Sequence, residues 1–292
     1  MLTRAQQSEY GEVGAIVLPE VLTANEIEEL RRVTDAFIDR ARSVTTHDAI
    51  YDLENGHTPQ VPRVRRIKEP HLHHPAYRRL VTHPRFIAIL QDVWGPDIRF
   101  QTAKLNLKSA NFGAAVEWHQ DWAFDPHTND ELATIGIMMD DMELENGPLL
   151  VVPGTHHGPV FDHHCDGVFC GAMDPTRNEL DLTRAVPLTG KAGSISLHHT
   201  RLVHGSATNV SSKERRLLLV QFRAADAWPL LGLPDGLAAF DAMMVAGNPN
   251  LTPRLKPVPV RMPLPAAGSQ GSIYENQRGL KARYFAPAAD TA

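Results

Sequence analysis

The sequence predicts a mainly β fold, an antiparallel sandwich or barrel with helices packed at its N-terminal end. Two observations carry this. From Ile98 onward polar and apolar residues alternate with a period of two, whereas before residue 97 apolar residues recur at helical spacing. In addition, 22 prolines and 20 glycines in 292 residues break the chain into many short segments.

In chain order, Thr23 with Glu26 three residues on forms a capping box. Ile27, Leu30, Val33, Phe37 and Ile38 follow on one face, so residues 23 to about 40 are expected to be an amphipathic helix. Phe86, Ile87, Leu90, Val93 and Trp94 predict a second, opened by Pro84 and stopped by Gly95-Pro96. Residues 44–62 show no periodicity. Arg63, Arg65, Arg66 and Lys68 read as a solvated basic face rather than an anion site. The sheet is expected to begin at Ile98, where Phe100, Thr102, Lys104, Asn106 and Lys108 alternate with Gln101, Ala103, Leu105 and Leu107. Further strands are expected over Ala133–Met139, Pro148–Val152, Ser194–His198 and Arg215–Phe222, separated by Asn146-Gly147, Pro153-Gly154 and the Gly190–Gly193 turn. The reading is one domain over 1–292: a helical preface to about 97, a β core over about 98–224, and a proline-rich extension over 225–292.

Composition narrows the function. Hydrophobic residues are 42% and charged residues 22%, enough for a packed core. A net charge of −5 is the wrong sign for gripping a phosphate backbone, so nucleic acid is not an expected partner. No apolar run approaches the ~18 residues of a membrane span, and no leader pattern opens the chain. Cys165 and Cys170 alone make no disulfide framework. A cytoplasmic protein acting on a small molecule, away from membranes, is the expectation.

Fifteen histidines are present, and most need no function. In Glu117-Trp118-His119-Gln120-Asp121, however, residues two apart on an extended chain share a face, so His119 and Asp121 stand together as metal ligands. One more imidazole completes the two-histidine, one-carboxylate facial triad of iron(II) oxygenases. His204 leads, with His198 and His199 as rivals. Eleven residues after His204, Arg215 offers a guanidinium to the distal carboxylate of a metal-bound 2-oxoacid. Arg216 is the rival anchor, but strand alternation allows only one of the pair to face inward. Trp122 and Phe124 are candidate substrate contacts, with Asp125 and His127 beside them. The stretch 156–184 reads as a long loop of the lid or binding type, with a separate zinc site around His163-His164-Cys165 as a lesser alternative.

Three segments together resemble the phytanoyl-CoA dioxygenase family, with ectoine hydroxylase as a similar branch. They are His119-Gln120-Asp121, the run Asn146-Gly147-Pro148-Leu149-Leu150-Val151-Val152-Pro153-Gly154-Thr155-His156, and His204-Gly205-Ser206 with Arg215 and Phe222. The resemblance covers roughly 98–224 and, more loosely, Arg65 to Pro70. It implies a double-stranded β-helix (jelly roll, cupin-like). It implies iron(II) on His119, Asp121 and His204, and 2-oxoglutarate anchored by Arg215, with Ser206 and Gln101 as further cosubstrate contacts. It also implies O2-dependent hydroxylation of an unactivated C–H bond in a small organic substrate, with succinate and CO2 released. The alternatives are desaturation, cyclisation or endoperoxide formation at the same iron, or a non-catalytic cupin-like metal-binding or sensor protein.

Overall fold

The computed structural model describes residues 1–174, 176–177, 180–266 and 272–285. Five helices precede the long strands: α1 (Arg4–Val13), α2 (Ala24–Arg40), α3 (Pro70–His73), α4 (Pro75–Val81) and α5 (Pro84–Trp94). Thr23 and Glu26 close the capping box at the start of α2, the Glu26 carboxylate accepting the Thr23 N–H at 2.8 Å. Ile27, Leu30, Val33 and Phe37 then face the core. Pro84 and Gly95 bound α5 as expected. Helix α1 has a capping box too, but Tyr10 is its only buried residue, so no apolar stripe announced it.

The strands form two facing antiparallel sheets. β1 (Ala15–Leu18), β2 (Tyr51–Leu53), β3 (Val64–Lys68), β4 (Ile98–Lys108), β6 (Leu132–Met138), β11 (Ile195–His199) and β13 (Arg215–Ala224) make the larger, in the order β1-β11-β6-β13-β4-β3-β2, with β14 (Met244–Ala246) added beside β4. β5 (Val116–His119), β7 (Leu149–Val151), β10 (Val186–Leu188) and β12 (His204–Ser206) make the smaller, in the order β10-β7-β12-β5. A hairpin of β8 (His164–Cys165) and β9 (Val168–Phe169) lies within the predicted long loop. Two further helices, α6 (Gly236–Ala242) and α7 (Ile273–Asn276), lie in the C-terminal extension.

Two expectations need correction. The sheet begins before Ile98: β1, β2 and β3 belong to it, each too short to show a period of its own. The basic cluster is also not a solvated face. Arg65 and Arg66 are buried on β3. Asp52 of β2 pairs with Arg66 at 2.8 Å and Lys68 at 3.0 Å, while Glu275 of α7 pairs with Arg65. Charges are buried only when so partnered, and the partners lie elsewhere in the sequence.

Alternation along β4 sorts the interior. Ala103, Leu105 and Leu107 join Leu218, Val220, Ile135, Ile137, Ile195 and Leu197 beneath α2 and α5 in the main core. The opposite face, with Lys104 and Lys108, turns toward the smaller sheet. A bulge between Phe100 and Thr102 opposite β13 reverses this phase, which lets Phe100 enter the core while Gln101 and Thr102 both line the cavity.

Five histidines outside the ligand positions are held neutral chiefly by burial: His71, His156 and His163 are pushed down to about 4, and His127 and His199 to about 3. An unfolded chain protonates them near pH 6.5. As pH falls below that value the unfolded state binds protons the folded state refuses. The stability they contribute is therefore complete above about pH 6.5 and lost on the way down to about 4. We expect the melting temperature to be level near neutrality and to fall steeply over that window; a flat profile there would contradict the assignment.

Candidate metal and cosubstrate site

β5 and β12 lie side by side with His119 directly opposite His204, at the end of one strand and the start of the other. Gln120, extended at φ −119° and ψ 127°, turns its amide away to the carbonyls of Pro159 and Arg201. Asp121, in the turn that follows, therefore comes back beside His119. One ligand atom from each of His119, Asp121 and His204 lies within 4.8 Å of the others. The Asp121 Oδ1 is 3.7 Å from His119 Nε2 and 3.9 Å from His204 Nε2. Each imidazole donates its Nδ1–H to the carbonyl two residues before it, Glu117 and Leu202, at 2.9 Å. That fixes the tautomer and leaves both Nε2 lone pairs turned to the shared space. The second Asp121 oxygen accepts from Thr134 and Gln221, each at 3.3 Å.

The electrostatics suit a cation. Burial, then His204, holds His119 well below the usual histidine range, and burial pushes His204 to about 4, so both are neutral ligands. Burial alone would raise Asp121, but Lys104 and the neighbouring histidines hold its carboxyl well below the usual range. Two neutral imidazoles and one ionised carboxylate on one side of an open space are the donor set of a facial iron(II) site.

That space is a cavity of about 350 Å³. His119, Asp121, Phe124, Asp125, Gln101 and Lys104 line it. Lys104 makes no hydrogen bond or ion pair among the described residues.

At the far end of β4, Lys108 faces Arg215 of β13 in register. Both are buried. Arg215 donates from Nη2 to the Gly147 carbonyl at 2.9 Å, while its Nε and Nη1 protons have no partner among the described residues. Burial lowers it to about 10. Lys108 donates to the Ser206 hydroxyl at 2.8 Å and to the Ala207 carbonyl. Gly147 sits at φ +72°, and a Cβ there would stand 2.5 Å from the Ala207 oxygen, so the Asn146-Gly147 turn is what lets this end close. Arg216, one residue on, points to the other face and pairs with Asp140 and Asp35. An orphaned guanidinium edge beside a lysine amine and a hydroxyl fits a carboxylate.

Of the predicted residues, His119, Asp121 and His204 converge, and Ser206 and Arg215 meet at the closed end. His198 comes within 3.7 Å of Asp121 but is not one of the three, and His199 packs on His156 instead. Gln101 donates to Asp125 at 2.5 Å in the cavity wall, seven residues along β4 from Lys108. Phe124 lines the cavity. Trp122 does not, which corrects the expectation: it is 1% exposed in a cluster with Leu132 and Ala227 and donates its indole N–H to Pro259. Within the segment 156–184, residues 163 and 169 buttress the site. Phe169 packs on Phe124, and His163 accepts the Gln120 N–H at 2.9 Å. No second cluster of three metal-ligating side chains occurs among the described residues, and both cysteines are free. Lys104 and Lys108 were missed as site residues, although charged side chains at every other inward position of a strand were a legible signal.

A double-stranded β-helix carrying two histidines, one carboxylate and a buried arginine at the closed end defines the class of non-haem iron(II)- and 2-oxoglutarate-dependent oxygenases. The chain belongs to the phytanoyl-CoA dioxygenase (PhyH) family, whose profile matches residues 10–217. It is 36% identical over 286 residues to a probable alpha-ketoglutarate-dependent hypophosphite dioxygenase of Stutzerimonas stutzeri, covering 96% of this chain and 99% of that protein. It is 28% identical over 240 residues to the L-proline trans-4-hydroxylase of Streptomyces griseoviridis, covering 75% and 86%. The fold matches EctD from S. alaskensis with 2-oxoglutarate and 5-hydroxyectoine at a TM-score of 0.65 and 21% identity, covering 91% and 88%. The chain is thus an iron(II)- and 2-oxoglutarate-dependent dioxygenase. No helix among the described residues is long and apolar enough to cross a membrane.

Proposed function

We propose that the chain hydroxylates a small anion, with His119, Asp121 and His204 holding the iron and Arg215, Ser206 and Lys108 holding the distal carboxylate of 2-oxoglutarate. The single observation behind the substrate class is Lys104, which faces the cavity beside Asp121 and makes no hydrogen bond among the described residues. With the Asp121 charge taken up by the metal it would hold, Lys104 favours a negatively charged guest. Iron and 2-oxoglutarate, when bound, supply the oxidising power. The chain's own share is positional. Thr134 and Gln221 orient Asp121, Gln101 and Asp125 shape the substrate wall, Phe124 keeps it apolar, and Lys104 turns the anion toward the metal. Hypophosphite, by analogy with the relative matched end to end, is the first anion to try, and hydroxylation of its P–H bond gives phosphite. The single-domain reading of 1–292 and a cytoplasmic setting, consistent with two unpaired cysteines, belong to the same proposal.

The test is a phosphorus NMR assay for phosphite with iron(II), 2-oxoglutarate and O2, run beside L-proline as an organic comparator. Succinate formation is expected to depend on an anionic substrate, and Lys104→Met is expected to raise its KM about tenfold or more while leaving that for 2-oxoglutarate in place. Equal turnover by Lys104→Met at low substrate would refute the anion reading.

A further inference from the structure

β5, which carries Glu117, Trp118 and His119, is the last strand of the smaller sheet, paired with β12 on one side and with no strand on the other among the described residues. Its residues are buried throughout, so the backbone groups along the free edge cannot turn to water. Gln277, the first residue of the turn after α7, closes that edge from the C-terminal segment. Its side-chain oxygen accepts the Glu117 N–H and its side-chain nitrogen donates to the Ala115 carbonyl, both at 3.0 Å. A residue on a parallel neighbouring strand would make the same pair of bonds, and here one side-chain amide supplies both. The segment is fastened beyond that point too. Leu280 packs with Cys170 and Ala172, the Glu117 carboxylate accepts the Tyr284 N–H at 3.0 Å, and Phe285 stacks on Trp118.

Glu117, held through its N–H by Gln277, also aims a metal ligand, because its carbonyl accepts the Nδ1–H of His119 at 2.9 Å. Both groups belong to one residue. A turn of Glu117 toward another partner for an unpaired N–H would carry the carbonyl with it and swing the His119 Nε2 out of the space it shares with Asp121 and His204.

We infer that Gln277 is a positioning residue for the metal: by pairing the free edge of β5 it fixes the carbonyl that orients His119. The inference rests on the reading that His119, Asp121 and His204 hold the metal. It makes the C-terminal segment part of the metal centre although that segment supplies no ligand.

The experiment titrates apo protein anaerobically with cobalt(II), which takes the same imidazole and carboxylate donors and reports their geometry in its visible absorption, with no turnover in the readout. Gln277→Met keeps the length of the side chain and removes the amide. It is expected to weaken cobalt(II) about tenfold, the low end for an outer partner of a metal ligand, and to alter the visible bands. Leu280→Ala strips packing from the same segment but removes no bond to β5. It is expected to lower the melting temperature while keeping the parent's cobalt(II) affinity and bands. If Gln277→Met binds cobalt(II) as the parent does, or if Leu280→Ala weakens it as much, the positioning role is overturned; His119→Ala losing cobalt(II) in the same series leaves the metal reading standing. If His119→Ala binds as tightly as the parent, the metal reading fails and takes the inference with it.

Discussion

His119→Ala is expected to abolish iron loading and to cut succinate formation by more than about a hundredfold, the loss that removal of even an outer partner of a metal ligand can cause. The imidazole supplies one of three donor atoms, and its Nε2 is aimed by a bond from Nδ1 to the Glu117 carbonyl, so no neighbour can replace it without moving the backbone. His198 is the nearest substitute, but its approach is to the Asp121 oxygen already engaged by Thr134 and Gln221. The rival His199, packed against His156, serves as the contrast: His199→Gln should keep its iron. Metal content after anaerobic reconstitution, with circular dichroism to verify folding, checks both. Full iron occupancy in His119→Ala would remove that residue from the centre.

The second large effect is expected at the other end of the cavity. Arg215→Gln should weaken 2-oxoglutarate by ~2–5 kcal/mol, the range for removing one partner of a buried, hydrogen-bonded charge pair. Free protein should respond in the opposite sense. Arg215 is buried with two nitrogens, Nε and Nη1, unpartnered among the described residues, and burial lowers its pKa to about 10, so a neutral side chain relieves an uncompensated charge. Thermal melts separate the two consequences. The variant without ligand should melt no lower than the parent, while the rise that 2-oxoglutarate produces in the metal-loaded parent should vanish. A lower melting point with cosubstrate affinity intact would make Arg215 a structural residue only.

Legibility in the sequence followed the range of the interactions involved. Helix α2 announced itself because Thr23, Glu26 and its apolar face lie within a few turns of one another. Strand β4 did so because its alternation runs unbroken from Thr102 to Leu107. Strands β1, β2 and β3 were invisible as part of the sheet because their pairing partners are remote, and β3 is charged. The burial of Arg65 and Arg66 depends on Glu275 and Asp52, and no local pattern carries that information. Trp122 was misjudged for a related reason. Its place next to Asp121 suggested the cavity, yet the turn Asp121–Ala123 rotates it into a separate apolar cluster.

His119 and Asp121, two residues apart, were committed to one site by the geometry of an extended chain, and alternation allowed only one of Arg215 and Arg216 to face inward. Those are properties of the backbone over a few residues. Whether His204, His198 or His199 would join them was decided only by the pairing of β12 with β5, which sets His204 across from His119. The same holds for Lys104 beside Asp121 and for Glu275 beside Arg65, where long-range strand register and the fastening of the C-terminal segment bring together charges that are remote in the chain. Burial then gives those encounters their strength, because a dry interior screens charge far less than water does.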